Sequence, residues 1–185
     1  MRVIAGEARH LVLKTLPGDE TRPTTDIIKE TLFNMINFDI PGTKFLDLYS
    51  GSGAIGIEAL SRGADESVFV DNNSKATKII AENLEHTKLS DKATVITSEA
   101  VSALRRLENT GKVFDIIYLD PPYDQGLEDQ ALGYLSKSKL CSPDTMIILE
   151  TGRKNEVERF KSIGFSAVKI KEYKTNKHVF LRRNA

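Results

Sequence analysis

The stretch Asp47-Leu48-Tyr49-Ser50-Gly51-Ser52-Gly53-Ala54-Ile55-Gly56 joins an apolar run, Phe45-Leu46, to a run typical of a helix, Ile57-Glu58-Ala59-Leu60. Its glycines Gly51, Gly53 and Gly56 form a G-x-G-x-x-G pattern. Such a turn lets the backbone approach a nucleotide cofactor closely at the carboxyl end of a parallel strand. The pattern alone is a weak signal, because a tight strand-to-helix turn without a ligand has the same spacing.

Strands and helices alternate from Thr43 onward. Strands are predicted at 44–48, 67–71, 94–97, 114–119 and 146–150, and helices at 55–62, 75–87, 100–108, 127–137 and 155–163. The strands are nearly continuous apolar runs, as expected of strands buried on both faces. This alternation predicts a doubly wound, mostly parallel, Rossmann-like α/β sheet. Two later segments, 165–170 and 178–181, alternate apolar and polar residues and predict an antiparallel C-terminal hairpin at the sheet edge.

The 185 residues suit a single domain over 1–185. Residues 1–20 are expected to form an N-terminal β-arm, residues 21–40 a lead-in helix, and residues 43–185 the core. Thr24 or Thr25 is expected to cap the lead-in helix, with Asp26 favourable in its first turn.

Composition excludes several classes of protein. Lys and Arg together number 26, as do Asp and Glu, so nucleic-acid binding would have to use a local basic patch. The single cysteine, Cys141, excludes a disulfide framework, and the three histidines show no metal spacing. The first ten residues lack an apolar signal region, and no stretch reaches the length of a membrane helix. We therefore expect a cytoplasmic protein with no metal and no membrane partner.

Two carboxylates near the glycines help to distinguish possible cofactors. Asp71 is placed to bond ribose hydroxyls, which NAD and S-adenosylmethionine both present. Asp47 discriminates better, because a dinucleotide pyrophosphate at the helix N-terminus would lie close to it and be repelled. S-adenosylmethionine carries an ammonium and a sulfonium and no phosphate, so Asp47 suits it. The alternative is that Asp47 only caps the helix or stabilises the turn.

The second diagnostic stretch is Asp120-Pro121-Pro122-Tyr123, which follows the apolar run 116–119. It is expected at the carboxyl end of the fourth strand, on the edge where open α/β sheets bind ligands. The Asp120 carboxylate and the Pro121 carbonyl could accept the two N–H groups of an exocyclic amine and orient it for attack on a methyl sulfonium. Tyr123 offers a face on which an extruded base could stack, a contact of roughly 1–3 kcal/mol. The alternative is a strand-terminating turn, for which Asp-Pro-Pro is also suitable.

At these residues the chain resembles S-adenosylmethionine-dependent amino-methyltransferases with a (D/N)-P-P-(Y/F/W) motif. More closely, it resembles the bacterial 16S rRNA guanine-N2 methyltransferase family, small-subunit rRNA methyltransferase D. The resemblance covers essentially the whole chain and is carried by the segments 1–6, 21–26 continuing into 29–34, and 51–64. The guanine assignment rests on this resemblance, because an adenine amine or a glutamine amide could be held by the same motif.

The resemblance implies three sets of site residues. The catalytic set is Asp120, Pro121, Pro122 and Tyr123. The set that binds S-adenosylmethionine is Asp47, Tyr49, Gly51, Ser52, Gly53, Gly56, Asp71, Asn72, Glu99 and Ala100, with Glu99 at the adenine amino group. The substrate-binding set is Arg2, Arg9, His10, Arg22, Thr24 and Lys177; the resemblance implies Arg22 and Thr24, and the others come from the basic arm and the basic hairpin. The expected partner is 16S rRNA or the 30S subunit, and the protein is expected to be a monomer.

One departure from the family lies in the C-terminal hairpin. The chain has Tyr173-Lys174-Thr175-Asn176 where the family usually has a tighter Tyr-Gly turn. The hairpin and the N-terminal arm are both rich in basic residues, which predicts contact with phosphates, although such runs are also typical of solvated faces.

Three other functions remain as alternatives. A DNA adenine-N6 methyltransferase would use the same motif, but the chain has no obvious target-recognition domain. An NAD-dependent dehydrogenase is disfavoured by Asp47 and by residues 120–123. A non-catalytic RNA-binding assembly factor would have no need of an intact Asp-Pro-Pro-Tyr.

Overall fold

A computed structural model describes residues 1–18 and 23–185. Arg22, expected near the substrate, lies outside the described residues, and so does the side chain of Thr24. The helices are α1 Pro23–Ile36, α2 Ala54–Ser61, α3 Ser74–Thr87, α4 Ala100–Glu108, α5 Leu127–Leu135 and α6 Phe160–Ile163. The strands are β1 Lys44–Leu48, β2 Glu66–Asp71, β3 Ala93–Thr97, β4 Phe114–Leu119, β5 Cys141–Gly152, β6 Phe165–Glu172 and β7 Asn176–Arg183.

The first four predicted strands and the first four core helices lie close to the predicted positions, because their apolar periodicity is strong. The fifth strand, predicted at 146–150, is longer than expected and spans Cys141–Gly152. The helix predicted at 155–163 is shorter than expected: a 3-10 turn, Val157–Arg159, precedes the four residues of α6.

The chain forms two compact units, Met1–Ser98 and Glu99–Ala185. The single-domain organisation stays a prediction.

In the first unit, β1, β2 and β3 are parallel, in the order β3-β2-β1. Asp47 pairs with Phe69 and Leu48 with Val70. Both β1 and β2 are almost wholly buried, and α2 and α3 pack against them. This arrangement places the loop after β1 next to the end of β2.

The N-terminal arm pairs with itself without forming a regular strand. An isolated bridge joins Arg2 and Val12, and the Val3 N–H donates to the Leu11 carbonyl at 2.9 Å. Gly6 explains the tight course of the arm, because its φ is +86° and a Cβ there would lie 1.8 Å from the carbonyl oxygen of Ser61. The arm therefore lies directly on the C-terminal end of α2.

A buried carboxylate fastens the arm to α2. Glu58 is fully buried and accepts hydrogen bonds from the Ile4 and Ala5 N–H groups at 2.9 and 3.1 Å. Arg62 Nε lies 2.9 Å from Glu58 Oε1, and Lys29 Nζ lies 3.5 Å from Glu58 Oε2. The charge of Glu58 is thus balanced by two cations and two backbone N–H groups, as a buried ion requires.

Helix α1 begins at Pro23, earlier than the sequence analysis expected. Proline suits the first helical position because its missing N–H would have no partner there. Thr24 and Thr25 therefore lie within the first turn, and the expectation that either caps the helix is wrong. Asp26 is in the first turn, as predicted.

In the second unit, β4 and β5 are parallel, and β7 pairs antiparallel with both β5 and β6, in the order β4-β5-β7-β6. Glu150 pairs with His178, and Gly152 pairs with Asn176. The predicted C-terminal hairpin is confirmed. Over residues 1–18 and 23–185 the fold is α/β, with seven strands that are mostly parallel and an antiparallel C-terminal end, as the sequence predicts.

Candidate functional site

Asp47, near the carboxyl end of β1, is almost completely buried, with 1% of its surface exposed. Its Oδ2 accepts a hydrogen bond from the Gly56 N–H at 3.1 Å, and its carbonyl accepts one from Ser50 Oγ at 2.5 Å. Burial raises the pKa of this carboxyl to about 7, against the opposing effect of the Gly56 hydrogen bond. The bond to α2 agrees with the capping alternative. Because this pKa lies near neutral pH, the positive charge of a cationic ligand would shift the carboxyl towards its ionised form.

The glycine loop turns sharply between β1 and α2. Three of its residues have left-handed backbone angles: Tyr49 with φ +69°, Gly51 with φ +57° and Gly53 with φ +82°. A tyrosine rarely adopts this conformation, so Tyr49 marks local strain of the kind found at binding sites. The loop is tied to β2, because the Ser50 N–H donates to the Val70 carbonyl at 2.8 Å and Ser50 Oγ accepts from the Val70 N–H at 3.0 Å.

Gly56 serves packing. A Cβ at this position would lie 2.4 Å from Phe69 Cε1 and 2.9 Å from Ser67 Oγ, so only glycine lets α2 approach β2 this closely. Its N–H is already bonded to Asp47. Gly56 thus serves helix–strand packing, and its place in the cofactor-binding set stays a prediction.

Asp71, at the end of β2, holds the glycine loop from the other side. Its Oδ2 accepts from the Gly51 N–H and its Oδ1 from the Asn73 N–H, both at 2.9 Å. Each carboxylate oxygen has a second lone pair, so both can also accept a ribose hydroxyl. Asn72 beside it is exposed, and the Ser52 carbonyl accepts from Asn83 Nδ2 at 3.0 Å.

Glu99 has a structural role that the sequence analysis missed. Its side chain caps α4 by accepting hydrogen bonds from the Val101 N–H at 3.1 Å and from Ser102 Oγ at 3.0 Å. These bonds hold the pKa of Glu99 below its usual value. Ala100 is buried in the first turn of α4. Glutamate is not among the residues preferred at the N-cap, so this cap had no clear signal in the sequence.

The Asp-Pro-Pro-Tyr stretch directly follows β4. Pro121 is buried, whereas Asp120, Pro122 and Tyr123 are exposed, Tyr123 to 45%. The chain then turns through Asp124, whose φ is +60°. The turn thus presents a carboxylate and an aromatic ring to solvent from a rigid, proline-rich backbone.

Tyr123 borders a cleft of about 1110 Å³ in the second unit. The cleft is also lined by charged residues of both signs, among them Asp124, Glu128, Arg153, Lys154, Arg159 and Lys174. Burial, together with the nearby charges of Glu150 and Asp120, raises the pKa of Tyr123 to about 12, so the phenol stays protonated at neutral pH.

A cluster of polar side chains, among them Asn176, surrounds Glu150. Glu150, near the end of β5, accepts hydrogen bonds from Asn176 Nδ2 at 2.8 Å and from the Tyr118 hydroxyl, and His178 Nε2 lies 3.1 Å from its Oε2. The Tyr173 hydroxyl lies 2.9 Å from His178 Nδ1. Burial alone would raise the pKa of Glu150, but His178, Tyr118 and Asn176 outweigh it and hold the pKa below its usual value. The sequence analysis missed this cluster, although a glutamate at the end of a buried strand was a possible signal.

Lys177 corrects one expectation about the substrate. It is only 6% exposed, and its Nζ donates to the carbonyl oxygens of Arg153 at 3.0 Å and Asn155 at 2.7 Å. The ammonium therefore ties β7 to the loop after β5 and is not presented to a phosphate. By contrast, Arg2, Arg9 and His10 are exposed on the N-terminal arm.

Within residues 1–18 and 23–185, no group of three His, Cys, Asp or Glu side chains could hold a metal ion. No helix in the same ranges has the length and apolar character needed to cross a membrane.

The sheet, the glycine loop after β1 and the turn after β4 define a class: the Rossmann-like class I methyltransferase fold. The solved structure of the Escherichia coli protein yhhF has a TM-score of 0.84 at 30% identity and covers 100% of this chain and 98% of that one. A Thermus protein, TTHA0928, shares the fold with a TM-score of 0.79 at 24% identity, covering 97% of this chain and 98% of its own.

The chain belongs to the family described as Conserved hypothetical protein 95, the small-subunit ribosomal RNA methyltransferase D family, which matches residues 1–182. A Haemophilus influenzae relative named Ribosomal RNA small subunit methyltransferase D is 36% identical over 82% of this chain and 78% of its own length. The Escherichia coli K12 protein of the same name is 32% identical over 84% and 76%. The resemblance found in the sequence is confirmed.

Proposed function

We propose that this protein is an rRNA methyltransferase that transfers a methyl group from S-adenosylmethionine to the exocyclic N2 of a guanine in 16S rRNA. The observation that carries the proposal is the Asp-Pro-Pro-Tyr turn directly after β4, with Tyr123 exposed above a rigid backbone. Relatives named as small-subunit rRNA methyltransferases support the rRNA substrate and hence a cytoplasmic location. The guanine and its N2 position rest on the resemblance stated above.

The first unit fits the proposed cofactor. Two carboxylates, Asp47 and Asp71, accept hydrogen bonds from N–H groups of the glycine-rich segment. Their negative charge would repel a phosphate and attract a cation. Asp71 would bond the ribose hydroxyls, and Asp47 with the loop would hold the methionine end. S-adenosylmethionine supplies an electrophilic methyl group on a sulfonium when it is bound.

The second unit would hold the acceptor. The lone pair of the guanine amine is delocalised into the ring and is a poor nucleophile. The Asp120 carboxylate and the Pro121 carbonyl would accept its two N–H groups, which orients the nitrogen for attack. The nitrogen gains a methyl group and loses one proton, for which Asp120 is the acceptor within the turn. Tyr123 would stack on the extruded base.

The direct test is a labelling experiment. The protein is incubated with methyl-labelled S-adenosylmethionine and either 30S particles or naked 16S rRNA from a strain lacking the corresponding methyl group, and the RNA is digested to nucleosides. We expect label in N2-methylguanosine, and we expect Asp120→Ala to lose turnover while still binding the cofactor. A parallel incubation uses unmethylated DNA as the substrate. Label in N6-methyladenine of that DNA, with none in the RNA, would support the alternative methyltransferase. RNA binding with no label in any substrate would support the assembly factor.

A further inference from the structure

The side chain of Asn83 lies between the N-terminal arm and the glycine loop. Asn83 belongs to α3 and is almost completely buried, with 1% of its surface exposed. It contacts Lys14 of the arm and Ser52 of the glycine loop, and all three residues belong to the first unit. A single buried amide thus joins two segments that are far apart along the chain.

The Asn83 amide pairs with the backbone of Lys14 much as a neighbouring strand would. Its Oδ1 accepts from the Lys14 N–H at 2.8 Å, and its Nδ2 donates to the Lys14 carbonyl at 2.9 Å. These two bonds decide the orientation of the amide, because the reverse orientation would place donor against donor and acceptor against acceptor. The arm is therefore held here through its backbone and not through the Lys14 side chain.

The second hydrogen of the same Nδ2 is donated to the Ser52 carbonyl at 3.0 Å. Ser52 follows Gly51, whose N–H is held by Asp71. Helix α3 also packs against the loop at this point, since a Cβ on Gly53 would lie 3.2 Å from the side chain of Ile80. Both hydrogens of the amide nitrogen are thus used, one for the arm and one for the glycine loop.

We propose that the N-terminal arm is part of the cofactor site, and that Asn83 is the positioning residue that couples the arm to the glycine loop. The inference rests on one part of the proposed function, the placement of S-adenosylmethionine at this loop. When the arm leaves Asn83, the amide loses two of its three hydrogen bonds, and one bond alone has to hold the Ser52 carbonyl. The loop conformation that receives the cofactor is then less populated, so binding weakens. Because such coupling is reciprocal, the bound cofactor should also hold the arm in place.

The test measures the binding of S-adenosylmethionine to the full chain by isothermal titration calorimetry, without RNA. Asn83→Ala removes all three bonds and should weaken binding about fivefold, the low end of couplings between two sites. Lys14→Pro leaves α3 intact but removes the N–H that donates to Asn83, and it should weaken binding by a similar factor. Unchanged affinity in Lys14→Pro would overturn the inference, even if Asn83→Ala were too unstable to measure.

Two matched controls break a different contact between the arm and α3. Glu82 precedes Asn83, and its Oε2 lies 2.9 Å from Lys14 Nζ in a substantially exposed ion pair. Glu82→Ala and Lys14→Ala remove this pair and keep the bonds of the Asn83 amide, so both should bind S-adenosylmethionine within about twofold of the wild type. A loss in Lys14→Ala as large as that in Lys14→Pro would attribute the effect to the side chain and overturn the proposal.

Hydrogen exchange gives a measurement that a purely structural role of Asn83 would not change. The Lys14 amide hydrogen is bonded to Asn83, so its exchange rate, followed by NMR, reports how often the arm opens at this point. Saturating S-adenosylmethionine should slow this exchange about fivefold in the wild type and in Glu82→Ala, but not in Asn83→Ala. Equal rates with and without the cofactor in the wild type would contradict the coupling.

Asp71→Ala separates this inference from the proposed function. Asp71 holds the Gly51 N–H and is the proposed partner of the ribose, so its loss should weaken binding if the cofactor lies at the glycine loop. A loss of affinity in Asp71→Ala, with none in Asn83→Ala or Lys14→Pro, would overturn this inference alone. Unchanged affinity in all three variants would overturn both the inference and the proposed placement of the cofactor.

Discussion

At the scale of single residues, Asp47 is the group whose chemistry depends most on its surroundings. It is buried beneath the glycine loop, and the pKa of its carboxyl is raised to about 7. A cationic ligand interacts with the ionised form. Below pH 7 the carboxyl of the unliganded protein is mostly protonated, so binding of the cation has to release that proton. The apparent affinity therefore falls.

We expect S-adenosylmethionine to bind about tenfold more weakly at pH 6 than at pH 8, as a one-proton linkage with a pKa near 7 requires. Isothermal titration calorimetry in two buffers of different ionisation enthalpy would also detect the released proton at pH 6. In Asp47→Asn the affinity should be lower and independent of pH over this range. Equal affinity of the wild type at both pH values would contradict the raised pKa as a determinant of binding.

The same pKa shift affects the unliganded protein. A carboxyl whose pKa is about 7 in the folded state and near 3.8 in the unfolded state is ionised more easily when unfolded. Stability should therefore fall as pH rises from about 4 to about 7, and Asp47→Asn should flatten this part of the curve. Urea denaturation across this pH range measures the effect, and parallel curves for the two proteins would exclude Asp47 as its cause.

Gly56 allows a second prediction at the residue scale. Gly56→Ala would place a Cβ 2.4 Å from the ring of Phe69 and should cost about 1–3 kcal/mol of unfolding free energy. Gly133→Ala in α5 is the matched control, because a Cβ there meets nothing within 4 Å. Alanine is the better helix former, so this control should be neutral or stabilising by up to about 1 kcal/mol. Urea denaturation of both variants measures the change in unfolding free energy. An equal change in Gly56→Ala and Gly133→Ala would contradict the packing role of Gly56.

At the scale of elements, Glu58 joins three parts of the first unit: the N-terminal arm, α1 through Lys29, and α2 through Arg62. Glu58→Ala would leave two almost fully buried cations without their carboxylate. We expect a loss of about 3–5 kcal/mol, the usual result of breaking a buried ion pair from one side. The arm should also become sensitive to trypsin at Arg2 and Arg9.

The control for this prediction is Glu82→Ala. Glu82 forms an ion pair with Lys14 of the arm at 2.9 Å, but both side chains are substantially exposed. Exposed pairs of this kind contribute little, so the variant should differ from the wild type by less than about 1 kcal/mol and keep its arm protected. If Glu82→Ala released the arm as readily as Glu58→Ala, the buried network would not be what holds it.

At the scale of the whole molecule, charge is balanced, with 26 basic and 26 acidic residues. On the proposed function, RNA binding would therefore depend on local groups of exposed cations. Arg2 and Arg9 on the N-terminal arm are exposed, whereas Lys177 in β7 is buried and bonded to two carbonyls. Substitution of an exposed cation such as Arg9 should thus change RNA binding, whereas substitution of the buried Lys177 should change stability.

We expect Arg9→Ala to weaken rRNA binding and to reduce the slope of log Kd against log salt by about 0.7–0.9, the value for one phosphate contact. Lys177→Met should lower the melting temperature and leave that slope unchanged. Filter binding across a series of salt concentrations, together with thermal denaturation, gives both measurements. A slope changed only by Lys177→Met would place the RNA contact in the hairpin.

Much of the fold follows from local sequence patterns. The strand–helix alternation from Thr43, the glycine loop after β1 and the turn after β4 all depend on neighbouring residues, so reading along the chain was sufficient. The start of α1 differs from the prediction because Thr24 and Thr25 are residue types that suit an N-cap, whereas Pro23 suits the first helical position. The length of α6 was overestimated because apolar spacing does not distinguish a short helix from a 3-10 turn.

The sequence by itself determined the α/β class, the family, and the positions of Asp47, Asp71 and Asp120–Tyr123 at strand ends, because spacing along one chain segment sets each of these. Only the tertiary structure decided that Lys177 is buried, that Glu58 holds the arm, and that Asn176 is hydrogen-bonded to Glu150. These relations join residues 22 to 54 positions apart. The physical reason is that burial and hydrogen-bond partners depend on strand register and helix packing, which bring distant segments together.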